Sequence, residues 1–227
     1  MLAWRNTREN TSGNILKGTT TVALTCKDGV VLATDRRATM GYYIASKAAK
    51  KLYKIDDHLA ATIAGSVADA QRVMDSLQAE VRLFKIRNGT PMRVKAAANL
   101  LSTILFEARR YPYYMEAILG GVDDSGPQVY SLDPVGSLIT EKFVATGSGG
   151  PIAYGLLEDS FSDDLVVKDG VALVVRATRS SMERDAASGN GFDVAYITKS
   201  NYHELSESDI SKIFEELGSK RKKIRSA

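Results

Sequence analysis

Apolar and β-branched residues occur in short runs through the first third of the chain, and these runs start abruptly at Thr19. The runs TTTVALTC and VVLATD flank the pair Asp28-Gly29, and an Asp-Gly pair between two apolar runs is a strong hairpin signal. Two further short runs cover 52–55 and 58–64, and the block closes at Gly65. The pattern therefore predicts a sheet that begins at Thr19.

Apolar positions with a helical period follow this strand block. Ser66, with Asp69 three residues later, resembles a capping box, in which each side chain bonds a free backbone N–H at the start of a helix. Apolar residues then recur every three or four positions as far as Phe84, and Asn88-Gly89 marks an end. We predict one helix over this stretch and a second helix at 92–110.

The second half of the chain repeats the order of strands followed by helices. Four strand-like runs separated by turn-forming residues come first, at 115–122, 128–133, 137–140 and 142–147. Two helical patterns, a strand and a last helix follow, at about 152–161, 166–187, 192–198 and 206–217. Strict βαβ alternation is absent, so the order predicts the α+β class. Two antiparallel sheets packed face to face, with paired helices outside, would bury these apolar faces economically.

The two ends of the chain differ from the part between them. Residues 1–18 show no sustained period and mix Asn, Thr, Ser and Gly, so we interpret them as an appendage to a single domain over 19–219. The net charge is +3, but five positive charges lie in 220–227 and a net two in 1–18, which leaves −4 in the body. We interpret 220–227 as a solvated basic tail. Nucleic-acid binding is the alternative, and no base-stacking motif accompanies the tail to support it.

Composition excludes several classes of protein. With 44% hydrophobic and 25% charged residues, the 227-residue chain is neither disordered nor a coiled coil. No stretch approaches the ~18 apolar residues of a membrane span. The polar N-terminus lacks the apolar segment of a signal peptide, so we expect a cytoplasmic protein without membrane contact. One cysteine and two histidines exclude an internal disulfide, a multi-cysteine zinc site and a histidine-rich metal centre, and we expect no metal or cofactor.

Few side chains remain for catalysis. His58 and His203 lie in polar contexts that do not suit Ser-His-Asp or Cys-His catalysis, and we interpret Cys26 as a packing residue. The glycine-rich loop 146–150 lacks the lysine of a P-loop, which argues against nucleotide binding. The junction between the leader and Thr19 is a further candidate. If the leader is removed, Thr19 gains an α-amine with a pKa near 7.7–8.0, able to accept the proton of its own hydroxyl. By itself, however, a Gly-Thr pair at the start of a strand is common.

Motifs that match one known family run from Thr19 almost to the end of the chain. The first is TTTVALTCKDGVVLATDRRAT at 19–39. The others, in the expected order and spacing, are KKLY at 50–53, TIAG at 62–65, GGVD at 120–123, TGSG at 146–149, YG at 154–155, RDAASG at 184–189 and DVA at 193–195. Together they resemble the β subunit of the proteasome, and the archaeal type in particular. The resemblance implies the four-layer αββα sandwich of the N-terminal nucleophile hydrolases, which agrees with the predicted element order.

The resemblance also implies a threonine-type endopeptidase that removes its own propeptide, residues 1–18, by cleavage between Gly18 and Thr19. Thr19 would be the nucleophile, with Asp35 and Lys51 as its acidic and basic partners. The further residues implied are Ser148, Asp185 and Ser188 as supports of the threonine, Gly65 and Thr39 as contacts to the oxyanion and the substrate backbone, and Ala38, Ala49, Tyr53, Ile63 and Val67 as the specificity pocket. Because that pocket is apolar, we expect cleavage after hydrophobic residues. The residues alone allow alternatives: a surface pair of Asp35 with Arg36 or Arg37, and a Lys51 that merely flanks a strand.

An assembly is implied as well. In the family, seven-membered β rings stack between rings of α subunits as α7β7β7α7, the threonines face a closed chamber, and an ATPase delivers unfolded proteins. We therefore expect the catalytic β subunit of a proteasome core particle. The alternative is a β paralogue that assembles but stays unprocessed or weakly active. The bacterial two-ring peptidase of the same superfamily fits poorly, because its chain is shorter and its leader minimal.

Overall fold

Strands and helices follow one another in blocks, close to the predicted order. The computed structural model describes residues 18–199 and 201–215, so the predicted leader 1–18, except for Gly18, and the basic tail 220–227 lie outside the described residues. The strands are β1 Thr21–Cys26, β2 Gly29–Asp35, β3 Ala38–Met40, β4 Tyr43–Ser46, β5 Leu52–Asp56, β6 Leu59–Gly65, β7 Met115–Asp123, β8 Gly126–Leu132, β9 Leu138–Glu141, β10 Phe143–Thr146, β11 Phe192–Thr198 and β12 Tyr202–Glu204. The helices are α1 Val67–Asn88, α2 Val94–Glu107, α3 Gly150–Ser160 and α4 Val167–Met182. Helical residues also occupy 207–215.

The described chain forms two antiparallel five-stranded sheets. The first has the strand order β10-β1-β2-β11-β12, and the second has the order β5-β6-β7-β8-β9. In the first sheet, Thr21 lies opposite Thr34, and Phe192 lies opposite Asp35. This register places the start of β1 beside the end of β2. The α+β class predicted from the sequence is therefore confirmed.

Apolar side chains fill three layers. One cluster joins the first sheet to α3 and α4, and another joins the second sheet to α1 and α2. The third lies between the sheets, and we call it the inter-sheet layer; its members include Ala23, Val30, Leu32, Leu52, Ala60 and Ile118. On β1, Val22 and Leu24 face the helices while Ala23 faces the other sheet. Because both faces of these strands are buried, their sequences are almost continuously apolar.

Helix α1 begins and ends as its sequence predicts, with one difference. The Ser66 hydroxyl accepts from the Asp69 N–H, and Gly89 ends the helix in a left-handed conformation with φ of 69°. The capping box also predicts a bond between the Asp69 carboxylate and the Ser66 N–H, and that part of the prediction is wrong. The Asp69 carboxylate instead accepts from the backbone N–H of Tyr114, and the Ser66 N–H donates to the Tyr114 carbonyl. The helix start is thus tied to the strand that follows α2.

Three local predictions were incomplete or wrong. Helix α4 ends at Met182 and not at 187, because the chain turns around Asp185, whose carbonyl accepts from the Ser188 N–H at 3.2 Å and whose carboxylate accepts from the Ala187 N–H at 3.1 Å. The short hairpin of β3 and β4 was missed; its exposed Tyr42 and Tyr43 break the expected apolar pattern. Strand β12 was missed too, since it has only three residues. Among the described helices, none combines the length and the apolar character that crossing a bilayer requires.

A pair of glycine substitutions tests this packing. A Cβ on Gly121 would lie 2.6 Å from the His58 carbonyl oxygen and 2.9 Å from Val94 Cγ2, so Gly121→Ala should destabilise the fold by roughly 1–3 kcal/mol. No atom lies within 4 Å of a Cβ on Gly155, in helix α3, so Gly155→Ala should stabilise it by roughly 0.5–1 kcal/mol. The midpoints of thermal unfolding measure both effects. Equal midpoints for the two variants would contradict the packing described.

Candidate active site

Thr19 lies two residues before β1, and its side chain is directed at the peptide bond that precedes it. The residue is 2% exposed. Its hydroxyl donates to the Gly18 carbonyl oxygen at 2.5 Å, and its backbone N–H donates to Ser148 Oγ at 3.3 Å. The Thr19 hydroxyl therefore contacts the carbonyl group of the peptide bond that joins Gly18 to Thr19.

A buried lysine reaches the same carbonyl. Lys51 Nζ lies 2.8 Å from Asp35 Oδ1 and donates to the Gly18 carbonyl at 3.2 Å. It also donates to the Arg37 carbonyl at 2.5 Å, so all three ammonium donors have acceptors. Burial lowers the pKa of Lys51 from its ordinary value, while the charge of Asp35 acts in the opposite direction. The site thus holds a positive charge against the carbonyl that the Thr19 hydroxyl contacts.

The Asp35 carboxylate is fully buried, and four donors hold it. Oδ1 accepts from Lys51 and from the Thr20 N–H at 2.9 Å. Oδ2 accepts from the backbone N–H groups of Arg37 and Gly189, each at 2.9 Å. The surface pair with an arginine is therefore ruled out for Asp35.

Arg36, the other candidate partner, is engaged elsewhere. Its guanidinium bonds Asp193 and Glu207, each at 2.7 Å. The alternative interpretation of Lys51 was a lysine that merely flanks a strand. It does not account for the 2% exposure of this residue or for the hydrogen bond from its ammonium to the Gly18 carbonyl.

A chain of hydroxyl and carboxyl groups surrounds Thr19 on its other side. Ser148 Oγ, which accepts from the Thr19 N–H, donates to Asp185 Oδ2 at 2.5 Å. Ser188 Oγ donates to the same oxygen at 2.6 Å and bonds the Thr20 hydroxyl at 2.8 Å. The structure thus brings together the predicted nucleophile, its two charged partners and its three supports.

The glycine-rich loop contributes by close approach to Thr19. Gly147 has φ of 84°, and a Cβ there would lie 2.9 Å from the Thr19 carbonyl carbon. The Gly149 N–H donates to the Thr19 carbonyl oxygen at 3.2 Å. The loop therefore packs against the backbone of Thr19, and this close approach accounts for Gly147.

The remaining predicted site residues lie on β3, β5 and β6 or in the segments next to these strands. Gly65 ends β6 with φ of 127°. Thr39, on β3, lies against Gly18, and the Thr39 Oγ1 atom is buried without a hydrogen-bond partner among the described residues. The predicted pocket residues lie on or beside β3, β5, β6 and the start of α1: Ala38, Ala49, Tyr53, Ile63 and Val67. Ala49 and Ile63 are buried, at 8% and 1% exposure. The roles assigned to Gly65, Thr39 and the pocket stay predictions.

Two contributors were missed at the level of sequence. The Thr20 N–H donates to Asp35, and the Thr20 hydroxyl bonds Ser188. The backbone N–H of Arg37 donates to Asp35, and its carbonyl accepts from Lys51. The Arg37 guanidinium also donates to the Ala186 carbonyl at 2.6 Å. Both residues adjoin motif positions, but nothing in the sequence indicates which of their atoms face the site.

The histidines and the cysteine lie outside the site. His58 bonds the Met92 carbonyl at 2.7 Å, and the ring of His203 stacks on Tyr196 at 4.9 Å. Cys26 is 6% exposed and packs against helix α4 near Gly170. The expectation that none of the three is catalytic agrees with these positions.

Comparison with known proteins gives consistent matches. A family model described as "Proteasome subunit" matches residues 15–197. The chain is 55% identical over 205 residues to the proteasome subunit beta of Methanothermobacter thermautotrophicus, covering 90% of this chain and 98% of that protein. It is 52% identical over 204 residues to that of Archaeoglobus profundus, covering 89% and 95%, and 51% identical over 210 residues to that of Methanocaldococcus vulcanius, covering 92% and 94%.

The environment of Cys26 predicts an unreactive thiol. Burial, with the charges of Asp28 and Asp169, raises the pKa of Cys26 to about 12. A raised pKa means a protonated thiol, so at pH 8 only about one molecule in ten thousand carries the thiolate. Iodoacetamide at pH 8 should leave the folded chain unlabelled while it labels the urea-unfolded chain, as intact mass will report. Equal labelling rates in the two states would contradict this burial.

Proposed function

Because this chain belongs to the proteasome family, as a β subunit of the core particle and hence a protease subunit, we propose that it is a threonine-type endopeptidase whose nucleophile is Thr19. In this proposal residues 1–18 are a propeptide and residues 19–219 the peptidase domain. Asp35, Lys51, Ser148, Asp185 and Ser188 complete the catalytic site. The strong similarity to archaeal β subunits supports the family, and the contacts around Thr19 support the chemistry.

One observation carries the proposal. The Thr19 hydroxyl and the Lys51 ammonium both reach the carbonyl oxygen of Gly18, at 2.5 and 3.2 Å. The hydroxyl thus contacts the carbonyl group that it would attack, and the ammonium favours the negative charge that would develop on the oxygen during attack. No histidine is required at this site.

The self-cleavage step balances on these groups. Thr19 Oγ bonds to the Gly18 carbonyl carbon, the bond from that carbon to the Thr19 nitrogen breaks, and the hydroxyl proton ends on the nitrogen. The product is an ester between Gly18 and Thr19. Water then hydrolyses the ester, which leaves a carboxyl group on Gly18 and restores the Thr19 hydroxyl beside a free α-amine.

The same threonine then acts on other chains. Its α-amine accepts the hydroxyl proton as Oγ attacks a substrate carbonyl, and it transfers that proton to the departing amine. Lys51 keeps a positive charge beside the amine and so favours its neutral, basic form. Water hydrolyses the resulting ester and returns the site to its starting state.

Steric contacts explain why the residue before the nucleophile is a glycine. A Cβ on Gly18 would lie 2.7 Å from the Ala187 carbonyl oxygen and 2.9 Å from Ala187 Cβ, and closer still to Thr39 Oγ1. A larger residue would push the scissile carbonyl away from Thr19 and Lys51. We therefore assign the cleavage site to the bond between Gly18 and Thr19.

The proposal extends to fold, assembly and setting. The three apolar layers support a four-layer αββα sandwich of the N-terminal nucleophile hydrolase type. We propose assembly with α subunits and further β subunits as α7β7β7α7, in the cytoplasm, with unfolded proteins delivered by an ATPase. Gly65 and Thr39 would contact the oxyanion and the substrate backbone.

Processing is the first test. Co-expression with α subunits should yield a chain that begins Thr-Thr-Thr-Val and is lighter by about 2 kDa, the mass of eighteen residues. Thr19→Ala removes the attacking hydroxyl, so it should abolish both this cleavage and peptidase activity. N-terminal sequencing and intact mass measure the first effect, and a fluorogenic peptide measures the second.

The control for this test is Thr103→Ala, which removes a threonine hydroxyl from the exposed face of helix α2. This variant should mature and cleave normally. A parent chain that keeps residues 1–18 in the assembled particle would contradict the proposal and favour an unprocessed β paralogue.

Specificity gives a second test. The proposed pocket, Ala38, Ala49, Tyr53, Ile63 and Val67, offers apolar side chains, and a charged side chain loses hydration there without a partner. Peptides with Leu or Tyr before the cleaved bond should therefore exceed those with Arg or Asp by roughly ten-fold or more in kcat/KM.

Tyr53→Phe is the matched control. Its lost hydroxyl bonds only the Lys50 carbonyl among the described contacts, so the apolar preference should persist. A preference of the parent for Arg would overturn this assignment of the pocket.

A further inference from the structure

We propose that the hydroxyl pair of Thr21 and Thr62 is a positioning device that holds the nucleophile's strand at a fixed distance from β6, the strand that ends at Gly65 and is hydrogen-bonded to the backbone of Lys51. This inference rests on the proposed function of Thr19. It assigns a role to two residues outside the catalytic set.

The pair links the two sheets directly. Thr21 lies on β1 in the first sheet and Thr62 on β6 in the second, and their Oγ1 atoms are hydrogen-bonded to each other. Both residues are completely buried, at 0% exposure. The bond therefore crosses the space between the sheets without contact to solvent.

Packing alone does not account for two hydroxyl groups in this place. Thr21 shares one face of β1 with Ala23, and Thr62 shares one face of β6 with Ala60. Both alanines belong to the inter-sheet layer, which is apolar. A valine has nearly the shape of a threonine and carries no polar atom to bury. A buried hydroxyl is costly unless it is bonded, and in this pair each threonine offsets that cost for the other.

On the first sheet, the pair sits next to residues that hold the site. Thr21 follows Thr20, whose N–H and hydroxyl bond Asp35 and Ser188. It is two residues from Thr19. A displacement at Thr21 would therefore move the nucleophile and its hydrogen-bond partners together.

On the second sheet, the connection runs through the backbone. Thr62 precedes Ile63, whose N–H donates to the Lys51 carbonyl at 3.0 Å, and the same strand ends at Gly65. Apolar contacts between sheets are non-directional and permit small sliding movements. A hydrogen bond has a preferred length and angle, so this pair can fix the separation of Thr19 from Lys51.

Substitutions by valine separate positioning from stability. Thr21→Val and Thr62→Val each leave one buried hydroxyl unpaired, whereas the double variant leaves none and should recover the thermal midpoint of the parent. All three should lose about ten- to a hundred-fold in kcat with KM unchanged, since only the reacting groups are displaced. Thr62→Ser keeps the hydroxyl and should retain kcat. Kinetics are measured on the assembled particle with α subunits, per mature Thr19 terminus.

Thr178→Val is the matched control. Its hydroxyl is buried on helix α4 and has no partner among the described residues, so kcat should stay within about two-fold of the parent. A double variant with the kcat of the parent would overturn the proposal. A Thr62→Ser variant as slow as Thr62→Val would overturn it as well.

A readout without catalysis keeps this inference separate from the proposed function. In a Thr19→Ala particle, the double variant should exchange the Thr20 amide hydrogen about ten-fold faster, as measured by mass spectrometry of the peptide that contains it. Unchanged exchange would overturn the positioning role. Full peptidase activity of Thr19→Ala alone would instead overturn the proposed function and leave the exchange result to decide on the pair.

Discussion

The buried ion pair between Lys51 and Asp35 is the interaction on which the other features of the site depend. Two charges with at most 2% exposure are stable only if the protein replaces the lost hydration. Asp35 therefore receives four donors and Lys51 finds three acceptors, and each of these partners constrains a different segment of chain. One of the acceptors of Lys51 is the carbonyl of Gly18. The same requirement that stabilises the charges thus brings the ammonium to the peptide bond between Gly18 and Thr19.

The segments that meet here are far apart in sequence, and the fold joins them in a definite way. The antiparallel register of β1 and β2 sets Asp35 beside Thr20, and the turn after helix α4 brings Asp185 and Ser188 back to the same point. Around Thr19, hydrogen bonds between a side chain and a backbone group outnumber hydrogen bonds between two side chains. The position of Thr19 is therefore determined by the backbones of several elements at once, which is how a small site achieves rigidity.

The sequence predicted the larger elements because their patterns were strong. Strands buried on both faces are almost continuously apolar, and α1 carries clear start and end signals at Ser66 and Gly89. The prediction from sequence was wrong where tertiary contacts override the local pattern. Helical periodicity predicted that α4 continues past Asp185, but the chain turns there and the Asp185 carboxylate bonds Ser148 and Ser188. Elimination of other side chains indicated Thr19, while the partners of Thr19 came from the family resemblance. Contacts across more than a hundred residues leave no periodic trace in a sequence.

For the proposed cleavage after Gly18, the contact of Lys51 with that residue has a consequence for the hydrogen bonds of the ammonium group. Before cleavage, every proton of the ammonium meets an oxygen of the protein itself. In the proposed maturation, removal of residues 1–18 takes away one of those oxygens and leaves one ammonium donor without its protein acceptor. A bound substrate that presents a carbonyl oxygen at this place would supply that acceptor again. Residues 1–18 would then be the first occupant of a position that each later substrate fills in turn.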